Sequence, residues 1–241
     1  MAMRAWIALT LIGLGSVGIG QAFSFLQGDE KVKEKGEKSQ RFDLEVREDL
    51  FAGFAGDEEA LKRGLAKCEE AIKKEPKHAE ALVWRGAARV YLAGKLFGAK
   101  KQAEALPIWV SGLADMDEAV KLEPKNAGVR IPRASVLVPA ARNTPPAIGK
   151  PLLEKAMADF QTIYELQKND LDRLGTHPRG ELRMGLADVY RLMGKADQSR
   201  EQLEAVVREL PDTKYASRAK EWLAAKPQAK LAHNCIGCHR K

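Results

Sequence analysis

The residues best suited to chemistry in this 241-residue chain stand near its C-terminus, as Cys235-Ile236-Gly237-Cys238-His239. Two thiols three positions apart lie on one side of a helical turn and can add to the two vinyl groups of a haem. The next residue, His239, then reaches the iron as its proximal ligand. Two other chemistries fit the same residues. An oxidising compartment would close Cys235 and Cys238 into a disulfide. The pair could also bind zinc with His233 or His239, although the usual second pair of ligands is missing from the pattern. A thioredoxin-like redox role lacks its βαβ context.

Covalent haem attachment takes place after export, and the N-terminus carries an export pattern. Met1 to Arg4 give a short basic start, and Ala5 to Gly20 then run without a charge. Gly20-Gln21-Ala22 places small residues where a signal peptidase reads, so residues 1–22 are expected to be a secretory signal cut after Ala22. Left uncut, the segment would serve as an anchor, because Phe23, Phe25 and Leu26 prolong it. The expected location is periplasmic or otherwise extracytoplasmic, and contact with a membrane is expected only in the uncut form. Gly13-Leu14-Gly15-Ser16-Val17-Gly18 matches a dinucleotide-binding glycine pattern. The stretch from Gln27 to Gln40, however, is rich in Lys, Glu and Gly, and cannot be the buried helix and second strand such a site needs. Residues 23–42 read as a charged, flexible linker, since ordering them would bury almost nothing.

Composition narrows the remainder. Apolar residues at 45% can build a core, and aromatics at only 6% disfavour an all-β sandwich or barrel. Three cysteines are too few for a disulfide-built scaffold. The net charge of +7 is spread along the chain, so no nucleic-acid partner is expected.

Residues 43–226 read as a helical repeat. Three segments share one spacing: a small residue, a bulkier one four later, a small or branched one three beyond, and a proline five after that. They are Gly64, Cys68, Ala71 and Pro76; Gly112, Met116, Ala119 and Pro124; and Ser199, Leu203, Val206 and Pro211. Spacings of four and three share one helix face, and the proline ends the helix. A fourth copy, Ala156 to Ile163, lacks the proline. These segments resemble the second helices of tetratricopeptide repeats. The matching first helix is best kept in 180–194, where Leu186, Ala187, Tyr190 and Gly194 fit that family. Residues 180–213 make one unit of 34 residues, the family's period. Trp84, Gly86 and Tyr91 give a looser first helix.

The resemblance implies an all-α, right-handed solenoid of helical hairpins with a protein or peptide partner in its concave face. First helices line that face in this family, so Glu181, Met184, Asp188 and Arg191 are expected to line the groove. The segment from Tyr215 to Lys226, with Trp222 at a core position, is expected to cap the last repeat. Two stretches break the period. Pro76 to Pro124 is 48 residues, with the excess at Gly94 to Trp109, expected as longer helices or a loop. The stretch from Pro132 to Pro151 holds too many prolines for one clean helix. Cys68 reads as a small buried hydrophobe. His78 and His177 are isolated and read as surface residues.

The tail motif resembles that of cytochromes c over five residues only. In those proteins a long stretch after the motif wraps the haem and supplies the distal ligand. Here only Arg240 and Lys241 come after it, so a distal ligand is expected from a Met or His of the helical body or from another molecule. His233 lies too near the pair to reach that side without strain. Residues 227–241 are therefore expected to be a tail bearing haem c on Cys235 and Cys238, with His239 on the metal. The sequence offers no nucleophile, acid–base pair or metalloprotease motif, and no enzyme is expected.

Overall fold

The computed structural model describes residues 41–225 together with Ala229 and Leu231. These residues are all-helical, with no strand among them. The helices are α1 (Asp43–Phe54), α2 (Glu58–Lys74), α3 (Ala79–Gly98), α4 (Gln102–Leu122), α5 (Ala127–Arg142), α6 (Pro146–Gln167), α7 (Thr176–Leu192), α8 (Ala196–Glu209) and α9 (Lys214–Ala224). A short 3-10 turn, Leu171–Arg173, joins α6 to α7.

Local sequence sets the helix limits. Side chains of Asp57, His78, Asn126 and Thr213 accept backbone N–H groups at the starts of α2, α3, α5 and α9. Helices α2, α4 and α8 each stop two residues before a proline, at Pro76, Pro124 and Pro211. The residue just before each proline takes an extended φ between −128° and −135°, as the proline ring demands of its neighbour. Between α7 and α8, Gly194 turns the chain with φ +73°, a conformation that favours glycine.

Of the two irregular stretches, the first takes the longer-helix alternative and the second departs from expectation. The excess over Gly94 to Trp109 lies mostly in helix: α3 has 20 residues and α4 has 21. The prolines thought too dense for a clean helix sit inside helices, Pro132 and Pro139 in α5 and Pro151 in α6. Only Asn143 to Pro145 breaks the run, and Pro146 opens α6 at a position where its missing N–H costs nothing. Each interior proline forfeits one backbone bond. Tertiary packing offsets that loss: Pro132 is itself buried, with Val129, Ala134 and Leu137 around it in sequence.

Packing proceeds by near neighbours. Helices α1 and α2, α3 and α4, α5 and α6, and α7 and α8 pack as pairs, and every substantial helix–helix contact joins elements one or two apart in order. Each odd helix also meets the next odd one, α1 to α3 and so on to α9. A closed bundle would bring first and last helices together; here the contacts run in chain order.

The small–bulky–small spacing is what fits the pairs together. Gly112, Met116 and Ala119 are buried in α4; Ala156, Phe160 and Ile163 in α6; Ser199, Leu203 and Val206 in α8. In α2, Gly64 and Cys68 are buried and Ala71 is half-buried. Burying a large side chain such as Met116 or Ile163 contributes roughly 1.5–3 kcal/mol. The small positions let backbones approach. A Cβ on Gly86 would stand 2.6 Å from the Gly112 carbonyl oxygen, and one on Gly112 would stand 2.9 Å from the Gly86 oxygen. Trp222, Ala216 and Ala219 of α9 are buried against the end of the stack, the place a cap would take.

Candidate functional site

Cys235, Cys238 and His239, with His233, lie outside the described residues, as do the signal segment 1–22 and the linker up to Gln40. The structure describes the root of the tail. After α9, Leu231 returns to pack on the cluster shared by α7, α8 and α9. Arg191 Nη2 donates to the Leu231 carbonyl at 2.8 Å. The guanidinium of Arg191 also lies over the Trp222 ring, 5.6 Å from its centroid, and pairs with Asp188 at 3.1 Å. Arg142, in the last turn of α5, pairs with the other oxygen of the same carboxylate. Arginine in a last helical turn suits the negative end of the helix dipole. The C-terminal turns of α5 and α7 and the chain leaving α9 therefore meet around Asp188.

This arrangement corrects the expected groove. Met184 is fully buried in the cluster with Leu203, Val206 and Trp222. Glu181 is 7% exposed and accepts the Tyr215 hydroxyl at 2.7 Å. Asp188 is 1% exposed between its arginines. Only Arg191 keeps a partly open side chain, at 26%. The reason is local: α8, α9 and the returning Leu231 pack against this side of α7 and bury it.

A polar seam runs through the pairs. The residue just before each bulky core position reaches across to the paired helix. Lys67, before Cys68, bonds Asp49 of α1 at 2.8 Å, joined by Arg63. Asp115, before Met116, accepts Arg85 at 2.7 and 2.8 Å and Arg89 at 2.9 Å from α3. Asp159, before Phe160, is fully buried and holds Arg133 and Arg130 of α5. Gln202, before Leu203, accepts Arg183 of α7 at 2.9 Å. Burial works to lower the Arg133 pKa, but the hydrogen bonds and charges of Asp159 and Asp117 together outweigh it and raise the pKa. The Asp115 hydrogen bonds raise the Arg85 pKa against its burial. Sequence reasoning missed this seam, although its signal was present as Arg85/Arg89 and Arg130/Arg133, three or four apart on their helices, with an Asp one position before the core residue.

The two isolated histidines each tie elements together. His78 caps α3, where its Nδ1 accepts from Ala81 N at 3.3 Å, and its ring lies 4.8 Å from that of Phe42. His177 Nδ1 is 2.7 Å from the Tyr215 hydroxyl, tying the start of α7 to α9. Among the thioethers of the helical body, Met116 and Met184 are fully buried, while Met157 and Met193 are half-buried. Cys68 is a buried free thiol, as a small core residue should be, and burial pushes its pKa up to about 12. That removes it from thiolate chemistry at neutral pH.

Around the tail root, Trp222 is buried under Arg191, Leu223 and Leu231 are half-buried, and Arg142 and Arg191 are both paired with Asp188. Elsewhere, a pocket of about 400 Å³ between α6, α7 and α8 carries Lys168, Arg179 and Arg183 beside Asp172 and Glu209. Among the described residues, no three His, Cys, Asp or Glu side chains gather as a metal site. No described helix is long and apolar enough to cross a membrane. No protein-family model, curated protein or solved structure matches this chain.

Proposed function

We propose that this protein is an exported scaffold of tetratricopeptide type that docks a protein or peptide partner and carries one covalent c-type haem at its tail. Cys235 and Cys238 hold the haem through thioethers, and His239 is its proximal iron ligand. The group so bound supplies one-electron transfer. The helical body presents it to a docked partner.

The reading rests on Cys235-x-x-Cys238-His239 in a chain that also opens with an export pattern. The two features are independent, and haem attachment requires both. The scaffold half is supported by helix pairs that pack in chain order, with the repeat's small–bulky–small face turned inward. Units that cannot bury a face alone stack on their neighbours, and such stacks display extended surfaces for partners.

The test is optical. The full chain, produced in a host that matures c-type cytochromes, is denatured and its visible spectrum recorded. A Soret band that stays with the polypeptide is expected, and Cys235→Ala/Cys238→Ala should abolish it. Colourless protein would overturn the haem half. The remaining reading would then be an interaction scaffold whose Cys235–Cys238 pair is a disulfide or metal site.

A further inference from the structure

We propose that the pocket between the ends of α6 and α8 and the start of α7 binds a small organic monocarboxylate, with Arg179 as the residue that receives the anion. The pocket contains no residue of the tail motif, so it stands apart from the haem reading above.

The sequence of α7 places two cations together. Arg179 and Arg183 are four apart, so their side chains share one helix face, and both line the pocket. The positions three and four from Arg179 on either side are Gly175, Thr176, Leu182 and Arg183, none of them acidic. The first turn of α7 holds no acid either. Like charges four apart repel, and nothing on α7 itself neutralises them.

Tertiary structure resolves this for one arginine and not for the other. Arg183, 8% exposed, lies over the Tyr164 ring and donates Nη1 to Gln202 and Nη2 to Glu209, each at 2.9 Å. Arg179 has no such support. It is half-buried, its Nε is shut off from water without an acceptor, and it makes no ion pair among the described residues. Charges withdrawn from water are ordinarily paired. This one lies instead in the wall of a pocket of about 400 Å³, a size that takes small ligands.

The other lining residues select the ligand. Lys168 donates to Glu165 at 2.6 Å and Glu209 is taken by Arg183, so neither asks for a partner. Asp172 also lines the pocket, is exposed, and does not pair with Arg179. Its charge opposes a second negative charge on the ligand, which favours a monoanion over a polyphosphate. A carboxylate matches the planar fork of a guanidinium with two parallel bonds. Leu171 and Tyr164 offer apolar wall to the carbon body.

The experiment titrates the full chain with sodium benzoate and with sodium phosphate against sodium chloride at equal ionic strength, read by calorimetry and by NMR of the backbone and arginine Nε–H signals. Benzoate should bind saturably, with shifts confined to 164–183 and the end of α8, the Arg179 Nε–H among them. Arg179→Gln should weaken binding at least ~10-fold, because a hydrogen bond to a charged group is lost. Its thermal midpoint without ligand should stay near the parent's, since Arg179 holds no other group. Asp172→Asn should tighten binding. A covalent haem on the chain should keep its visible spectrum throughout, and a colourless chain should bind benzoate equally well. Benzoate that acts no more than chloride would overturn the site, as would shifts scattered over the surface or Arg179→Gln binding like the parent. Phosphate bound more tightly than benzoate, or Asp172→Asn bound more weakly, would overturn the monocarboxylate. Should Arg179→Gln fail to fold, the shift map of the parent chain decides alone.

Discussion

The stack has two interiors that are built differently. The larger one runs from α1 to α7 and fills with fully buried side chains such as Leu50, Val83, Met116, Leu137 and Ile163. The smaller one, between α7, α8 and α9, has Met184 and Val206 at its centre and is closed by polar contacts. Tyr215 donates to Glu181, Ser199 Oγ donates to the Ala187 carbonyl at 2.8 Å, and Arg183 bridges Gln202 and Glu209. Helix α7 serves both, with Leu182, Leu186 and Val189 on the large core and Met184 and Ala187 on the small one. The difference shows what an end unit must do. The middle helices meet neighbours on both sides, whereas α7 and α8 are followed by α9 alone, which closes the smaller core.

Mutation can sharpen or break this contrast. The largest effect is expected in the large interior, at Asp159→Ala. Removing the carboxylate leaves the buried Arg133 with Asp117 alone and the half-buried Arg130 with only the Pro124 carbonyl, a loss of about 3 kcal/mol read as a fall in urea midpoint. Trp222→Ala in the small interior should cost about 3 kcal/mol, and the loss should be local. Exchange protection should vanish from α8 and α9 and persist in α3 to α6; loss throughout would break the contrast. Thr213→Ala removes the cap whose hydroxyl accepts Ala216 N at 3.1 Å, and about 1 kcal/mol of end-unit stability should go with it.

The smallest effect is one of pH at the other end. Lys67, with Arg63, holds the Asp49 carboxyl below its ordinary range. A lowered folded-state pKa gives stability that is complete above the ordinary carboxylate pKa, about 4. It is lost as pH falls through the folded value. Urea midpoints between pH 6 and pH 3 should therefore drop a little less steeply in Asp49→Asn than in the parent. An identical slope would remove Asp49 from the acid response.

Much of the fold could be read from residue types. Gly112–Met116–Ala119 and its copies marked the buried faces of even helices, because period 3.6 and side-chain size are local properties. Pro76, Pro124 and Pro211 marked helix ends for the same reason. Pro132, Pro139 and Pro151 misled, because the packing that compensates a lost backbone bond comes from residues distant in sequence. The candidate site was legible only as a motif. Cys235, Cys238 and His239 announce chemistry by spacing, but Arg191, Trp222 and Leu231 come together only through tertiary structure. Glu181, Met184 and Asp188 were misplaced on an open wall because the groups that bury them, Tyr215, Arg142 and the cluster of Leu203, Val206 and Trp222, are distant in sequence.

Native-state hydrogen exchange across all nine described helices tests the central claim most directly. Stacked pairs that contact only near neighbours predict graded protection, highest in α3 to α6 and lowest in α8 and α9, with the end unit opening on its own. One common opening free energy from α1 to α9 would mean a single cooperative core, and would contradict the account.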